Sequence, residues 1–202
     1  MSDIQYMEKP DWVSWEDVIA CIRAADVVNH KKGFHMHIAE VSPDEMKDDL
    51  KDGKCFVALL DNKVIGTLSY KIRFLKKWYR WGKVIYYSYD GIRPEFRGSN
   101  VYFELSELRE KSIRETGVKV YQCHTAVNNK VVIKMNKIYG YKQVLYRPNF
   151  NRTDYDSVTL VKWEEGCPFP DWFIKMMFNA SKFVTKTFFS RSKVQNKQNK
   201  KE

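Results

Sequence analysis

The spacing of apolar residues predicts two helices near the start of the chain. Ser14 is followed three residues later by Asp17, a pairing typical of a capped helix start. Apolar residues then recur at helical spacing, at Trp15, Val18, Ile19, Ile22 and Ala25. Residues 42–45 repeat the capped start with a proline at the first helical position, which predicts a shorter second helix that ends at Gly53.

Runs of β-branched, aromatic and aliphatic residues predict strands further along the chain. The first two runs flank the polar residues 61–63 and predict a hairpin. A helix over 99–116, stopped by Gly117, separates the third run from the fourth. The predicted strands are residues 55–60, 64–70, 84–92, 118–126 and 157–163. This order predicts an α/β fold with a central mixed β-sheet flanked by helices.

The composition favours one domain followed by a C-terminal extension. The chain has 202 residues, of which 44% are hydrophobic and 15% aromatic, enough for one substantial core. No stretch rich in Pro, Gly or Ser divides it. We expect a domain over residues 1–165, an aromatic, basic, amphipathic helix over 166–189, and a disordered basic tail over 190–202.

Positive charge is concentrated at the C-terminal end. Residues 171–202 contain eight basic and two acidic residues, so +6 of the formal net charge of +10 lies there and +4 lies in the rest of the chain. A body at +4 gives no sign of a nucleic-acid surface, and nucleic acid is not an expected partner. Aromatic residues and lysines are mixed over 169–189, which suits docking on the chain's own domain, a homodimer contact or a membrane surface. The sequence favours docking on the chain's own domain or on a dimer partner over a membrane surface.

Cysteine and histidine spacing indicates neither a disulfide framework nor a metal site. The cysteines show no C-x-x-C spacing and lie in apolar or strand-like contexts, so we expect reduced and mostly buried thiols. They are Cys21, Cys55, Cys123 and Cys167. His30, His35 and His37 are close in sequence, but no cysteine or carboxylate completes a ligand set at usable spacing. We therefore interpret these histidines as loop residues.

The hydropathy pattern predicts a cytoplasmic protein. The first five residues lack both the basic and the apolar parts of a signal peptide. No window of about 18 apolar residues is present that could form a membrane span. The sequence therefore favours a cytoplasmic enzyme or binding domain.

The segment 92–100 combines a proline, a glycine and two arginines at the junction of a predicted strand and a predicted helix. The strand ends at Pro94, the chain turns at Gly98 and a helix follows, which aims backbone N–H groups at one point. Arg93 and Arg97 add positive charge beside the helix start, so the favoured ligand is a phosphorylated anion. The alternative is a plain connection with two solvated arginines.

A second motif follows about thirty residues after Gly98. The strand 118–126 is followed by N-K-V-V-I-K-M-N-K-I-Y-G-Y over residues 129–141. Together with I-R-P-E-F-R-G over 92–98, this segment resembles the GNAT superfamily of acyl-CoA N-acyltransferases. That family's signature is a strand ending in V-x-P-x-x-R-G, then a strand ending near N-x-x-A-x-x-x-Y-x-x-x-G-F. The resemblance covers roughly residues 10–165.

The resemblance implies transfer of an acetyl group from acetyl-CoA to a primary amine by direct attack on the thioester, with no metal. It places the coenzyme where the strands 84–92 and 118–126 separate, with its pyrophosphate at the turn after the first of them. The coenzyme-binding residues implied in this way are Ile92, Arg93, Arg97, Gly98, Ser99, Asn100, Val101, Tyr102 and Asn129.

Three residues depart from the family pattern. The phosphate turn of the family is Q/R-x-x-G-x-G/A, and Asn100 and Tyr102 occupy the positions of its two small residues. Asn136 stands where many members carry a tyrosine that protonates the leaving thiolate, and Tyr139, one turn later, is the candidate substitute. These departures motivate a rival hypothesis, a GNAT scaffold that binds a ligand or partner without catalysis.

The resemblance also points to a general base. His124 lies five residues before Asn129, where members that acetylate protein N-terminal amines carry a glutamate that deprotonates the acceptor. An imidazole with an ordinary pKa of about 6.5 can take that proton near neutral pH. The alternative is a strand histidine bonded to the backbone. Asp90, grouped with Ser88 and Ile92 by strand alternation, is a second candidate base, or else a bulge residue before Gly91.

Overall fold

The computed structural model describes residues 3–31, 37–148 and 156–189. The chain forms two compact units, residues 1–121 and 122–202, and the division falls inside one strand. Over the described residues there are seven β-strands and five α-helices, which confirms the predicted α/β class. His35, Met36 and the predicted disordered tail 190–202 lie outside the described residues.

The first unit contains four strands and three helices. Its elements are β1 (Gln5–Glu8), α1 (Trp15–Lys31), α2 (Pro43–Asp49), β2 (Gly53–Leu60), β3 (Lys63–Lys77), β4 (Arg80–Ile92) and α3 (Val101–Glu115). Short 3₁₀ helices cover His37–Ala39 and Pro94–Phe96. β3 and β4 extend beyond the predicted strands and form a long hairpin, while the short strand β1 was not predicted at all.

The helix starts and the first hairpin turn follow from local sequence. At α1, the Asp17 N–H donates to Ser14 Oγ at 3.0 Å. At α2, Ser42 and Glu45 form a complete capping box, because the Glu45 N–H donates to Ser42 Oγ and the Ser42 N–H donates to Glu45 Oε2. Asp61 and Asn62, between β2 and β3, have φ angles of 49° and 61°, as a two-residue hairpin turn requires.

The sheet of the first unit is antiparallel, in the order β1-β2-β3-β4. The register between β3 and β4 shifts where Ser69 pairs with Ser88 and Thr67 pairs with Gly91. Tyr89 and Asp90 therefore face the single residue between Thr67 and Ser69, which is a β-bulge. Tyr89 adopts a φ of 56°, an uncommon conformation for a bulky residue. The bulge interpretation of Asp90 is correct, and the strict alternation that grouped it with Ser88 and Ile92 is wrong.

Two glycines let helices approach this sheet closely. A Cβ atom at Gly91 would lie 3.2 Å from the Cα of Ile22 in α1. A Cβ atom at Gly66 would lie 2.8 Å from side-chain atoms of both Ile92 and Val101, and Val101 begins α3. The core under α1 and α2 is made of aliphatic residues from both helices and from β2, among them Val18, Ile22, Met46, Val57 and Leu59.

The second unit contains the rest of the sheet elements and two helices. Its elements are β5 (Val120–Ala126, whose first two residues belong to the first unit), α4 (Lys130–Ile138), β6 (Lys142–Arg147), β7 (Ser157–Trp163) and α5 (Asp171–Val184). The strand order is β5-β7-β6, and β6 pairs with β7 in antiparallel fashion. A π-helical turn, Thr185–Phe189, follows α5. The strand β7 and the C-terminal helix were predicted, and β6 was not.

The chain shows neither a spanning helix nor a candidate metal cluster in the parts that the structure describes. None of the described helices is long and apolar enough to cross a bilayer. No group of three or more histidine, cysteine or acidic side chains in the same ranges could hold a metal ion. All four cysteines are free thiols, with Cys21 and Cys55 buried and the other two half-buried.

Candidate functional site

The turn between β4 and α3 has an open backbone geometry. After the 3₁₀ helix Pro94–Phe96, Gly98 has a φ of 85°, a conformation that glycine adopts without strain. A Cβ atom added at Gly98 would meet nothing within 4 Å, so free space adjoins the backbone here. Three residues after Gly98 the chain enters α3 at Val101.

The N-terminus of α3 lacks a side-chain cap. Asn100 is the N-cap residue and is exposed, but its side chain makes no capping hydrogen bond. The Ser99 hydroxyl donates to the Phe96 carbonyl at 2.6 Å and accepts from the Val101 N–H at 3.4 Å. The first N–H groups of a helix have no partner within the helix, so this end can accept an anion. The donor set fits a phosphate group.

The two arginines of this turn are held by backbone carbonyls. Arg93 donates from Nε to the Val64 carbonyl at 2.7 Å, and Arg97 donates from Nη2 to the Ala25 carbonyl at 2.8 Å. Their guanidinium groups thus tie the turn to β3 and α1. Each arginine uses one guanidinium nitrogen in these contacts, and the Ser99 N–H donates to the Phe96 carbonyl at 3.3 Å, so the turn offers donors from both its backbone and its arginine side chains.

Three of the predicted coenzyme residues support the turn from behind or beside it. Ile92 pairs with Gly66 in the sheet, and Val101 is fully buried. The side chains of Ile92 and Val101 both pack against Gly66. This contact holds the first residue of α3 against β3. Tyr102 is half-buried, and its ring meets that of Phe103 edge-on at 6.1 Å. Val101 therefore offers a ligand only its backbone, whereas the Ile92 side chain is half-buried.

Asp90, the second candidate base, is engaged in a charged network beneath α3. Arg109 donates from Nη1 to both carboxylate oxygens of Asp90, at 3.0 and 2.8 Å, and the Ser69 N–H donates to Asp90 Oδ1 at 3.2 Å. Tyr87 stacks 4.1 Å from the Arg109 guanidinium and donates to Glu110 at 2.6 Å. Burial raises the pKa of Asp90, and Arg109 opposes that shift. Burial would lower the pKa of Arg109, but Asp90 raises it overall, so Arg109 stays charged.

A second charged network, not anticipated from the sequence, holds the strained bulge residue. Tyr89 donates its hydroxyl hydrogen to Asp49 Oδ2 at 2.9 Å. Asp49 also forms ion pairs with Lys71 and Arg73 of β3. Burial lowers the pKa of Lys71, while burial and the Asp49 carboxylate both raise the pKa of Tyr89. This network ties α2 to the bulge of β4 and stabilises the uncommon backbone conformation of Tyr89.

His124, the first candidate base, has neutral partners on both ring nitrogens. Its Nδ1 lies 3.0 Å from Thr159 Oγ1, and its Nε2 lies 3.0 Å from Gln122 Nε2. If the Gln122 amide nitrogen donates, Nε2 is the acceptor and the ring proton is on Nδ1, directed to Thr159. That tautomer keeps the Nε2 lone pair, which a general base needs. Gln122 and Thr159 are buried, and His124 is half-buried.

The asparagines of the second motif have structural hydrogen bonds. Asn129 is the N-cap of α4: its Oδ1 accepts from the Val132 N–H at 3.5 Å, and its amide donates to Thr125 Oγ1 at 3.1 Å. Asn136 donates to the Val132 carbonyl at 2.9 Å and accepts from the Cys123 thiol. Tyr139 is the C-cap of α4 and is 54% exposed. The start of α4 is therefore closed by its own side chain.

The turn, His124 and the motif residues remain predicted site residues, and the sequence did not reveal the side chains that bind them. Arg109, Thr159 and Asp49 lie 19, 35 and 40 residues from the side chains they bind. Only Gln122, two residues before His124 on the same strand face, carried a recognisable signal, the period-two alternation of β5.

Comparison with known proteins identifies the family. A family model described as the acetyltransferase (GNAT) family matches residues 24–141, more than half of the chain. No curated protein sequence matches the chain.

Solved structures with the same fold include several acetyltransferases. A GNAT family acetyltransferase from Elizabethkingia anophelis with acetyl-CoA bound has a TM-score of 0.56 at 12% identity and covers 81% of this chain and 99% of its own. The ribosomal-protein-S18-alanine N-acetyltransferase from Escherichia coli has a TM-score of 0.57 at 12% identity, covering 81% and 94%. A GNAT family acetyltransferase from Streptococcus pneumoniae has a TM-score of 0.57 at 13% identity, covering 80% and 99%.

Proposed function

Because the chain belongs to the GNAT acetyltransferase family, we propose that it is an acetyl-CoA-dependent N-acetyltransferase that acts on a primary amine. Family membership supports acyl transfer from coenzyme A, and a structure of the same fold was solved with acetyl-CoA bound. The observation that carries the proposal is the uncapped start of α3, directly after the open turn at Gly98. Acetyl-CoA, when bound, supplies the acetyl group as an activated thioester.

The backbone amides of the turn are proposed to hold the pyrophosphate of the coenzyme. The N–H groups from Gly98 to Tyr102 lie at the positive end of the α3 dipole, where anionic oxygens are stabilised. Arg93 and Arg97 position this turn through their carbonyl contacts and add positive charge beside it. Asn129 is proposed to act indirectly, since its side chain caps α4.

His124 is the proposed general base that takes a proton from the attacking amine. Thr159 orients the ring through Nδ1, and the Gln122 amide lies against Nε2, the nitrogen that would take the proton. Asp90 is the weaker candidate because Arg109 and the Ser69 N–H already occupy its carboxylate. The hydrogen bond between the Gln122 amide and His124 Nε2 would have to break before His124 can take a proton.

The proton donor to the leaving thiolate is proposed to be Tyr139. Asn136 has no acidic proton, and its amide is engaged with Val132 and Cys123. The Tyr139 hydroxyl belongs to an exposed side chain at the end of α4. Four classes of acceptor amine fit the proposal: a protein N-terminus, a lysine side chain, an amino sugar and a polyamine.

The proposal is tested in two steps. Calorimetric titration of the full chain with acetyl-CoA should give one saturable site, and an amine panel should then release free thiol from acetyl-CoA above the background rate. Saturable binding without thiol release for any amine class would favour the non-catalytic scaffold instead. Absence of acetyl-CoA binding in a folded sample would refute the proposed function.

A further inference from the structure

The helix α5 is held to its own unit by one of its sides. Ile174 is buried, and Ser181 Oγ accepts from the Tyr146 N–H of β6 at 2.9 Å while donating to the Phe178 carbonyl. The rings of Tyr146 and Phe178 meet at 6.3 Å. These contacts fix the rotation of α5 about its axis, so its opposite side is a preformed surface.

That opposite side carries large apolar residues in one stripe. Trp172, Met176 and Phe183 are 66%, 48% and 68% exposed. At 3.6 residues per turn, Met176 and Phe183 lie within about 40° of Trp172 around the helix axis. Three large, exposed apolar side chains aligned on one face of a helix are typical of a contact surface.

An aromatic chain supports the exposed end of the stripe. The ring of Trp163 in β7 meets Phe169 at 6.3 Å, Phe169 stacks on Phe173 at 5.6 Å, and Trp172 meets Phe173 edge-on at 5.8 Å. Trp172 is therefore anchored from below while its outer face is exposed. An amphipathic ring held in this way is typical of residues at a membrane–water interface.

Lysines line one edge of the stripe. Lys175 and Lys182 are exposed and lie about 60–80° to one side of Trp172 around the axis. Lys186 follows in the π-helical turn and is also exposed. Asp171 is the single acidic residue between 171 and 189, and Lys142 already pairs with it at 3.1 Å. The surface therefore combines apolar side chains with net positive charge.

This combination selects among the occupants that the surface could have. An antiparallel pair of two α5 helices would put one lysine row beside the other, and no acidic residue of α5 would be left to compensate. A surface of phosphate headgroups over an acyl interior complements both features at once. Residues 190–202 add five basic residues and one acidic residue directly after this region.

We propose that the outer stripe of α5 binds the surface of an anionic lipid bilayer. Trp172, Met176 and Phe183 enter at the depth of the headgroups, and the lysine edge contacts lipid phosphates. The chain then works as a peripheral membrane protein, held by a short interfacial helix. This inference does not depend on acetyl transfer, because binding to lipid is measured without acetyl-CoA.

The test is flotation of the full chain with vesicles of phosphatidylcholine alone and of phosphatidylcholine with 30% phosphatidylserine. The wild type should float with the anionic vesicles and much less with the neutral ones. Trp172→Ser combined with Phe183→Ser should weaken the partition coefficient by at least roughly tenfold. Lys175→Gln combined with Lys182→Gln should weaken it roughly 25-fold, at about fivefold per lysine.

Matched variants separate this surface from general charge and hydrophobicity. Trp12→Ser removes an exposed tryptophan of the first unit, and Lys51→Gln with Lys63→Gln removes two exposed lysines there. Both controls should bind like the wild type. The proposal is overturned if the wild type does not float with anionic vesicles, or if the controls lose as much binding as the α5 variants. It is also overturned if light scattering shows a dimer that only the stripe variant dissociates.

Discussion

Two strand-to-helix regions of this chain, β4–α3 and β5–α4, share a layout but differ in chemistry. Each has a titratable side chain in the last part of the strand, Asp90 or His124, followed by a turn and a helix. Asp90 is bound by a charged partner, and the helix after it starts without a side-chain cap. His124 is bound by neutral partners, and Asn129 caps the helix after it.

The difference shows how one layout can serve two tasks. A carboxylate neutralised by Arg109 adds no free negative charge near the open end of α3, so that end can attract an anion. The start of α4 is closed by Asn129, so a proton transfer at His124 would not compete with an anion for that helix end. This difference fits the proposal that β4–α3 binds the anion and β5–α4 transfers the proton, and each of the following predictions tests one of these two regions.

The largest expected effect is in the β4–α3 region, where Arg109 pairs with Asp90. Arg109→Met should lower the free energy of unfolding by about 3 kcal/mol, since it leaves Asp90 without its partner. The lower end of the usual range applies because the Asp90 side chain is 34% exposed, against 3% for Arg109. Urea unfolding followed by circular dichroism measures this loss.

The control for Arg109→Met lies on the other helix. Lys134→Met removes an exposed cation from α4 and should change stability by no more than about 0.5 kcal/mol. Adding Asp90→Leu to Arg109→Met should recover much of the loss, because no charge is then left unpaired. A cost below about 1 kcal/mol for Arg109→Met alone would show that the ion pair does not secure α3.

The next effect concerns the β5–α4 region, which contains His124. His124→Ala should lower turnover about 10²-fold while acetyl-CoA affinity stays near wild type, as expected for a lost general base. Thr159→Val should lower turnover about tenfold, because it removes the acceptor that orients the ring. Steady-state kinetics over pH, together with calorimetry, separates the two parameters.

A pH profile distinguishes catalysis by His124 from a structural role. The limb of the rate profile that depends on an imidazole should vanish in His124→Ala, shift in Thr159→Val and persist in Asp90→Asn. If His124→Ala keeps full turnover at every pH, the base must be sought elsewhere and the division between the two regions fails.

A smaller effect is expected at the helix starts themselves. Asn100→Asp places a carboxylate at the open end of α3, where it caps the helix and repels phosphate. It should raise the stability of the free chain by about 0.5 to 1 kcal/mol and weaken acetyl-CoA binding about tenfold. Thermal unfolding and calorimetry on the same sample give these two changes of opposite sign.

The matched substitution at α4 is Asn129→Asp. Because Asn129 already caps that helix, the added charge should leave acetyl-CoA affinity within about a factor of two. Equal loss of affinity in both variants would mean that both helix starts bind the coenzyme, and no loss in either would move the pyrophosphate away from α3.

The sequence predicted the local parts of both regions and missed their long-range partners. Caps, such as Ser42 with Glu45, and turns, such as Asp61-Asn62, depend on residues within four positions, so spacing alone reveals them. The short strands β1 and β6 have no long apolar run and exist because a longer neighbour pairs with them. Local periodicity cannot anticipate such pairing.

The sequence indicated which residue types the candidate site contains, but not which partners those side chains contact. The sequence selected the turn, Asp90 and His124 as candidates, yet the partners of Asp90 and His124 lie 19 and 35 residues along the chain. Arg97 was expected to face a phosphate, and it donates to a carbonyl 72 residues earlier. The bulge that redirects Asp90 likewise depends on the register of two strands, which alternation within one strand does not determine.

The smallest predicted effect is a test at alkaline pH of what supports the β5–α4 connection. Asp156 accepts from the Val127 N–H directly after β5, and its carboxylate accepts from the Tyr146 hydroxyl at 2.7 Å. Burial, followed by the Asp156 carboxylate, raises the pKa of Tyr146 to about 12. Because the folded pKa lies above the unfolded value of about 10, the stabilisation is complete below pH 10 and is lost as pH rises toward 12.

Tyr146→Phe should therefore cost about 1 kcal/mol at pH 7, which is less than is usual for a hydrogen bond to a charged group because solvent screens part of the interaction. The stability difference from wild type should shrink between pH 10 and pH 12, as measured by urea unfolding at stepped pH. Tyr139→Phe, which changes an exposed tyrosine of the same unit, should show no such convergence. A constant difference up to pH 12 would mean that the Tyr146–Asp156 bond does not support this connection, and β5–α4 would then rest on its neutral contacts alone.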